Sequence, residues 1–172
     1  VRGLFSFPNP VNLAAARTVA AGVCVLVVLA LALRSPIVLC VVCAGFWARV
    51  LTGPTLSPLG QLATRVVAPR LSRTPAFVPG PPKRFAQGMG AAFSSAAVAS
   101  WITVGWTPAA WLLVTLLAAA FLEAAFSICT GCIVFSGLMR VGVVPTSVCA
   151  QCTDLTLRSP SDSSMSSWRP SD

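Results

Sequence analysis

Histidine is absent from this 172-residue sequence and acidic residues nearly so, with four Asp and Glu against twelve Lys and Arg. Without imidazole there is no Ser-His-Asp triad, no Cys-His dyad and no His metal ligand, which removes much hydrolase and metalloenzyme chemistry. Charged residues of both signs make up only 9% of the chain, while hydrophobic residues make up 56% and the mean hydropathy is +0.83. That is more apolar material than one soluble core of this length buries. The net charge of +8 then points to a membrane surface and cytoplasmic loops, and not to nucleic acid.

A hydrocarbon layer about 30 Å thick needs roughly 17 to 25 apolar residues in a helix, because lipid offers no partner to free backbone groups. Stretches at about 14–33, 36–52, 85–105 and 108–128 qualify, and predict an all-α, polytopic membrane domain over 14–128. Arg34, Ser35 and Pro36 separate the first two spans. Trp47 and Arg49 close the second, placed to reach the interface. The third is rich in Gly, Ala and Ser between Gly88 and Ser100, a composition that lets backbones approach and predicts the centre of the bundle. Trp101, Trp106 and Trp111 around Thr107-Pro108 read as an aromatic belt. Residues 1–13 form an N-terminal segment, and the Pro- and Arg-rich stretch 53–84 is a loop that cannot span. Within it, Leu59 to Val67 reads as a short amphipathic turn on the headgroups, with Leu59, Leu62, Val66 and Val67 inward. A cysteine-rich segment, 129–158, and a disordered Ser, Pro and Asp tail, 159–172, complete the chain.

Charge sets the expected topology. With four spans, one side receives Arg2, Arg17, Arg49, Arg65, Arg70, Arg73, Lys83, Arg84, Arg140, Arg158 and Arg169, and the other only Arg34. The positive-inside rule then places both termini and the large loop in the cytoplasm. A competing reading makes residues 1–32 a signal peptide with Ala30-Leu31-Ala32 as its cleavage site, against which stands the long segment preceding the apolar run.

The distinctive chemistry is cysteine. Cys129-Thr-Gly-Cys132 and Cys149-Ala-Gln-Cys152 form two C-x-x-C pairs sixteen residues apart. Four thiolates at such spacing suit a tetrahedral zinc or an iron-sulfur cluster. The same pairs suit dithiol redox or sulfur transfer, with Cys129 and Cys132 as reacting thiols. Position decides: a fourth helix running unbroken through Cys132 disfavours thiolate there, whereas a break at Gly131 places the pair at a helix N-terminus, where thiolate is favoured. Both readings stay open, beside a third in which the pairs share no chemistry. Cys40-Val-Val-Cys43 lies inside the second span, and it and Cys24 read as packing residues.

Glu123 is the one acidic residue in a span; Asp154, Asp162 and Asp172 all fall later. An intramembrane carboxylate is either paired or functional, and Arg17 and Arg49, at similar depth, are its expected partners in a buried ion cluster. The functional alternative is a small transporter using Glu123, which requires a homo-oligomer because four short helices enclose little volume.

Several segments in order, Gly3-Leu-Phe-Ser-Phe-Pro-Asn-Pro-Val-Asn12, Phe46 to Gly60, Pro79 to Gln87 and Cys129-x-Gly-Cys132, resemble a bacterial family of small integral membrane proteins, common in actinobacteria and catalogued as a domain of unknown function. The resemblance covers about residues 3 to 155. It implies four membrane helices in the cytoplasmic membrane, and no established activity. Members often occur beside thioredoxin-like or sulfurtransferase proteins, which implies thiol chemistry at Cys129 and Cys132. Cys149 and Cys152 fit the family's tail pattern, while Ile133 stands where members usually carry a basic or polar residue. The first expectation is thus a membrane thiol protein serving a soluble thioredoxin-like or rhodanese-like partner. The second is a scaffold tied by a four-cysteine zinc or iron-sulfur site.

Overall fold

The computed structural model describes residues 11–53, 57–67, 70, 77–78, 80–143 and 145. The chain is all-α apart from one two-residue pairing: β1 (Val11–Asn12) lies antiparallel to β2 (Phe77–Val78), Val11 opposite Val78. Among the described residues the helices that can be bounded are α1 (Leu13–Leu33), α2 (Pro36–Thr52), α3 (Pro58–Leu62, continued by a π-helical turn over Ala63–Val67), α4 (Gly80–Thr103), α5 (Trp106–Phe126) and α6 (Thr130–Arg140).

Local chemistry sets the helix ends. The Asn12 side chain accepts from the amides of Ala14 and Ala15 to start α1, and Ser35 caps α2 with Pro36 in its first turn. Arg34, at φ 46°, ends α1, and the amide of Ser35 returns to the carbonyl of Ala30. That left-handed residue makes a two-residue connection between antiparallel helices. The matching turn between α4 and α5 uses Gly105 at φ 117° and ψ −171°, a conformation almost confined to glycine.

Helix α4 is the centre, as its small residues predict. It packs against α2, α5 and α6, while α1 packs against α5 and α2. Gly90, Ala91, Ser94 and Ala97 are buried along it. A Cβ at Gly90 would fall 2.2 Å from the Phe46 ring, so the ring of α2 occupies the space that the missing side chain leaves. Ser94 satisfies its hydroxyl on the carbonyl of Gly90, and Trp47 of α2 donates to Ser95 at 3.0 Å.

Two helices, α1 and α5, are long and apolar enough to cross a membrane, with hydropathies of 2.3 and 2.0. Only 28% and 22% of their apolar windows are buried within the chain, and large side chains such as Val25, Leu33, Trp111 and Phe121 stand exposed. Water penalises such a surface and a bilayer does not, which associates the chain with membrane. The shorter α2 is likewise apolar.

Three details depart from expectation. Helix α4 begins at Gly80, not near Phe85, because Pro81 and Pro82 fall in its first turn, where no amide hydrogen is needed. In the segment after Ser57, Leu59 packs against Gly22 and Ala63 is buried with Ala15 and Val19, while Leu62 and Val66, expected inward, are exposed. The π-helical turn shifts the register that a 3.6-residue period assumes. Finally, Arg49 turns inward and is only 6% exposed.

Candidate functional site: the cysteine end of the bundle

Apart from Arg34 in the turn between α1 and α2, both hairpins deliver their charged residues to one end. The start of α1, the end of α2, the start of α4 and the end of α5 meet there, and α6 lies across the start of α4. Arg17 donates to the carbonyls of Ala124 and Ala125 at 3.0 and 3.3 Å, covering the orphan acceptors and the negative pole of α5. Arg84 does the same for α2 through Val50.

Glu123 pairs with Lys83, and both side chains are largely buried. The expected cluster of Glu123, Arg17 and Arg49 does not assemble. Arg17 goes to the helix end, and Arg49 is held by neutral groups: Gln87 at 2.9 Å, Ser57 at 3.3 Å and the face of Phe46, whose centroid lies 4.6 Å from the guanidinium carbon. Lys83 was the residue missed, because the proline-rich run around it reads as loop. The signal was there in Pro81-Pro82, which suit a helix start as well as a loop.

Helix α5 stops six residues before Cys132. Ser127 adopts φ 60° and its amide bonds to the carbonyl of Glu123, and the chain extends through Cys129, the N-cap of α6. The break thus falls before the cysteine pair and not at Gly131, and it places Cys129 and Cys132 in the first turn of a new helix. Gly131 has a different role. A Cβ there would lie 2.5 Å from both Cα and Cβ of Ala86, so its bareness lets α6 rest on the backbone of α4. Phe135 and Met139, the next buried positions of α6, pack with Phe85 of α4, the two rings 5.6 Å apart.

Cys129 is buried and Cys132 half-buried. The adjoining Cys132, and after it the positive charge of Lys83, outweigh burial and the Glu123 carboxylate and hold the Cys129 thiol below its ordinary value. Its neighbour Cys129, with burial, pushes the Cys132 thiol up. One sulfur is thereby prepared as thiolate and the other as proton donor.

The other described cysteines stand apart from this end. Cys43 meets Ser95 at 3.5 Å, Cys40 is exposed, and Cys24 is partly buried in α1. Cys149 and Cys152 lie outside the described residues, as do residues 1–10 and the tail 159–172. Among the described residues no three His, Cys, Asp or Glu gather as a metal site.

A cavity of about 360 Å³ adjoins Cys129, enclosed chiefly by α1, α4 and α5. No curated protein and no solved structure matches the chain. A family model described as a domain of unknown function, DUF4395, matches residues 11–140. The match is shorter than the resemblance over 3 to 155 suggests: it takes in all of α1 to α6 with Cys129 and Cys132, and ends before Cys149. Most of the sequence lies within it, and the chain belongs to the DUF4395 family.

Proposed function

We propose that this is an integral membrane protein whose helices α1, α2, α4 and α5 span the cytoplasmic membrane, with both termini and the cysteine end on the cytoplasmic side. Its dithiol, Cys129 and Cys132, exchanges electrons with a soluble thioredoxin-like protein. The spans rest on the apolar faces of α1, α2 and α5 and on the central place of α4, and the orientation on the eleven-to-one distribution of basic residues.

The observation that carries the thiol reading is the placement of the pair at the start of α6, with buried Cys129 as its N-cap and half-buried Cys132 three residues on in its first turn. In the exchange, the Cys129 thiolate attacks one sulfur of the partner's disulfide and expels the other as thiolate. Cys132 then loses its proton and attacks the Cys129 sulfur. The Cys129–Cys132 disulfide forms, and the partner leaves with both its sulfurs reduced. Every step is reversible, so the direction follows the potentials of the two couples.

Cys129→Ser tests this in lipid nanodiscs with a reduced or oxidised thioredoxin as partner. Loss of exchange with unchanged helical content is expected, and retained exchange overturns the assignment. Cys149→Ser with Cys152→Ser is expected to leave the exchange in place. A rhodanese-type sulfur donor tests the sulfur-transfer form of the same site: a persulfide on Cys129, read by mass, in place of the disulfide would replace electron exchange by sulfur transfer.

A further inference from the structure

We propose that the cavity beside Cys129 binds a membrane quinone, which oxidises the Cys129–Cys132 dithiol. This rests on the thiol reading above and names its second substrate.

Three observations converge. The cavity's walls are apolar, among them Val23, Phe93 and Leu116, while Gln87, Glu123 and Cys129 also border it. Ligand pockets commonly have this form, mostly apolar with a few polar groups that fix orientation. Its volume, about 360 Å³, is in the range that takes a substituted ring. The helices that enclose it carry the exposed apolar surface described above, so a ligand dissolved in the bilayer is the kind that reaches it.

The two sulfurs of the pair also differ in surroundings. Cys129 borders the cavity, whereas Cys132 is half-buried and outside the lining. A dithiol placed so has one cysteine on the cavity wall and the other outside it. An apolar ligand beside a dithiol must accept two electrons to have a chemical role there, and an acyl chain cannot. A quinone can, and among the lining groups Gln87 carries an amide N–H that can donate to a ring oxygen.

The reaction balances without a further reagent. The Cys129 thiolate uses its electron pair to bond a ring carbon, and the ring π pair that this displaces moves onto a quinone oxygen. Cys132, having lost its proton, attacks the Cys129 sulfur; the sulfur–sulfur bond forms, the carbon–sulfur bond breaks, and that pair stays on the ring. The proton that Cys129 released on ionising and the proton from Cys132 complete the hydroquinone. One dithiol and one quinone become one disulfide and one hydroquinone. Glu123, held by Lys83, supplies a charged acceptor for a hydroquinone hydroxyl.

The test uses the full chain in nanodiscs, reduced beforehand, with 2,3-dimethoxy-5-methyl-6-decyl-benzoquinone as probe. That ring is substituted at every carbon and retains no thiol adduct. Ring absorbance reports reduction, and mass spectrometry reports the state of residues 129 and 132. We expect one quinone reduced per Cys129–Cys132 disulfide formed. Ala119→Phe and Ala16→Leu, which fill the cavity from α5 and α1, are each expected to slow quinone reduction by about tenfold or more while exchange with a small aromatic disulfide stays within about twofold. That second reaction also shows whether each variant has folded. Wild-type rates in both filled variants would overturn the cavity as the site. Dithiol exchange without any quinone reduction in the wild type would overturn the quinone and leave the thiol function standing. Failure to form the Cys129–Cys132 disulfide with any oxidant would overturn both.

Discussion

The two ends of the bundle are built by different means. At one, Arg34-Ser35 and Val104-Gly105 turn the chain in two residues each, and backbone geometry does the work through left-handed Arg34 and the glycine-only conformation of Gly105. At the other, Arg17, Arg49, Lys83, Arg84, Glu123, Cys129 and Cys132 converge, and side chains satisfy what the backbone leaves open. The middle is apolar and centred on the small-residue face of α4. Stability at the turn end is therefore a matter of φ and ψ, and at the cysteine end a matter of partners.

The comparison is broken most severely at the Lys83–Glu123 pair. Lys83→Ala leaves a buried carboxylate without its partner and is expected to lower the unfolding free energy in mixed micelles by about 3–5 kcal/mol. Replacing both residues by Met removes the orphaned charge as well, and is expected to recover stability to within about 1–2 kcal/mol of the native chain. Equal losses in the single and double variants would show that the pair does more than neutralise itself.

Next come the glycines, one at each end. Gly105→Ala forces a side chain into a region reserved for glycine and is expected to cost about 1–3 kcal/mol without touching the thiols. Gly131→Ala pushes α6 away from Ala86 and is expected to cost about 1–3 kcal/mol through overpacking, and in addition to disturb Cys129. Gly137→Ala, on the same helix with open space around it, is the control, with a gain of up to about 1 kcal/mol from helix propensity. Thermal unfolding and alkylation of Cys129 read the two effects separately.

Arg49→Lys keeps the charge but loses the fork that reaches Gln87 and Ser57 together, with an expected loss of about 1–2 kcal/mol. Arg17→Ala, at an exposed helix end, is expected to lose less, about 0.3–1 kcal/mol. A reversed order would mean that the helix-end contact outweighs the buried one.

The smallest effect in free energy is the most informative about chemistry. A thiolate is stabilised by donors, so removing one raises its pKa. The rate at which iodoacetamide modifies Cys129 is expected to reach its midpoint below the ordinary thiol value of 9.0 in the native chain. The midpoint should move to higher pH in Cys132→Ala, and less far in Cys132→Ser, whose hydroxyl still donates. An unmoved midpoint would remove Cys132 from the control of Cys129.

The sequence reveals its helices well because membrane length and apolarity are properties of contiguous residues. The expected stretches 14–33, 36–52, 85–105 and 108–128 lie within five residues of the ends of α1, α2, α4 and α5. Partnerships across the bundle were far less legible. Glu123 could be recognised as needing a cation, but choosing Lys83 over Arg17 and Arg49 depends on α4 starting at Gly80, five residues earlier than its apolar run suggests. Gly131 drew notice as a helix breaker, whereas its role lies in contact with Ala86, forty-five positions away in sequence and invisible to local pattern. The break itself occurs at Ser127, a residue with no marked preference for a left-handed conformation, so no signal stood at that site. The placement of Cys129 at a helix start was open between two alternatives for the same reason.

Arg17 has a consequence for assembly. Its guanidinium, near the beginning of the first long helix, finds its acceptors 107 positions later, on the last turn of α5. The α2–α4 and α4–α5 contacts form between nearer neighbours, but this clasp waits until nearly the whole bundle has been made. Such a long-range closure comes late in folding, since the intervening chain must be ordered first. Because Glu123 accepts Lys83 on that same turn, and Cys129 follows within six residues, the contact that closes the ring of helices also completes the cysteine end.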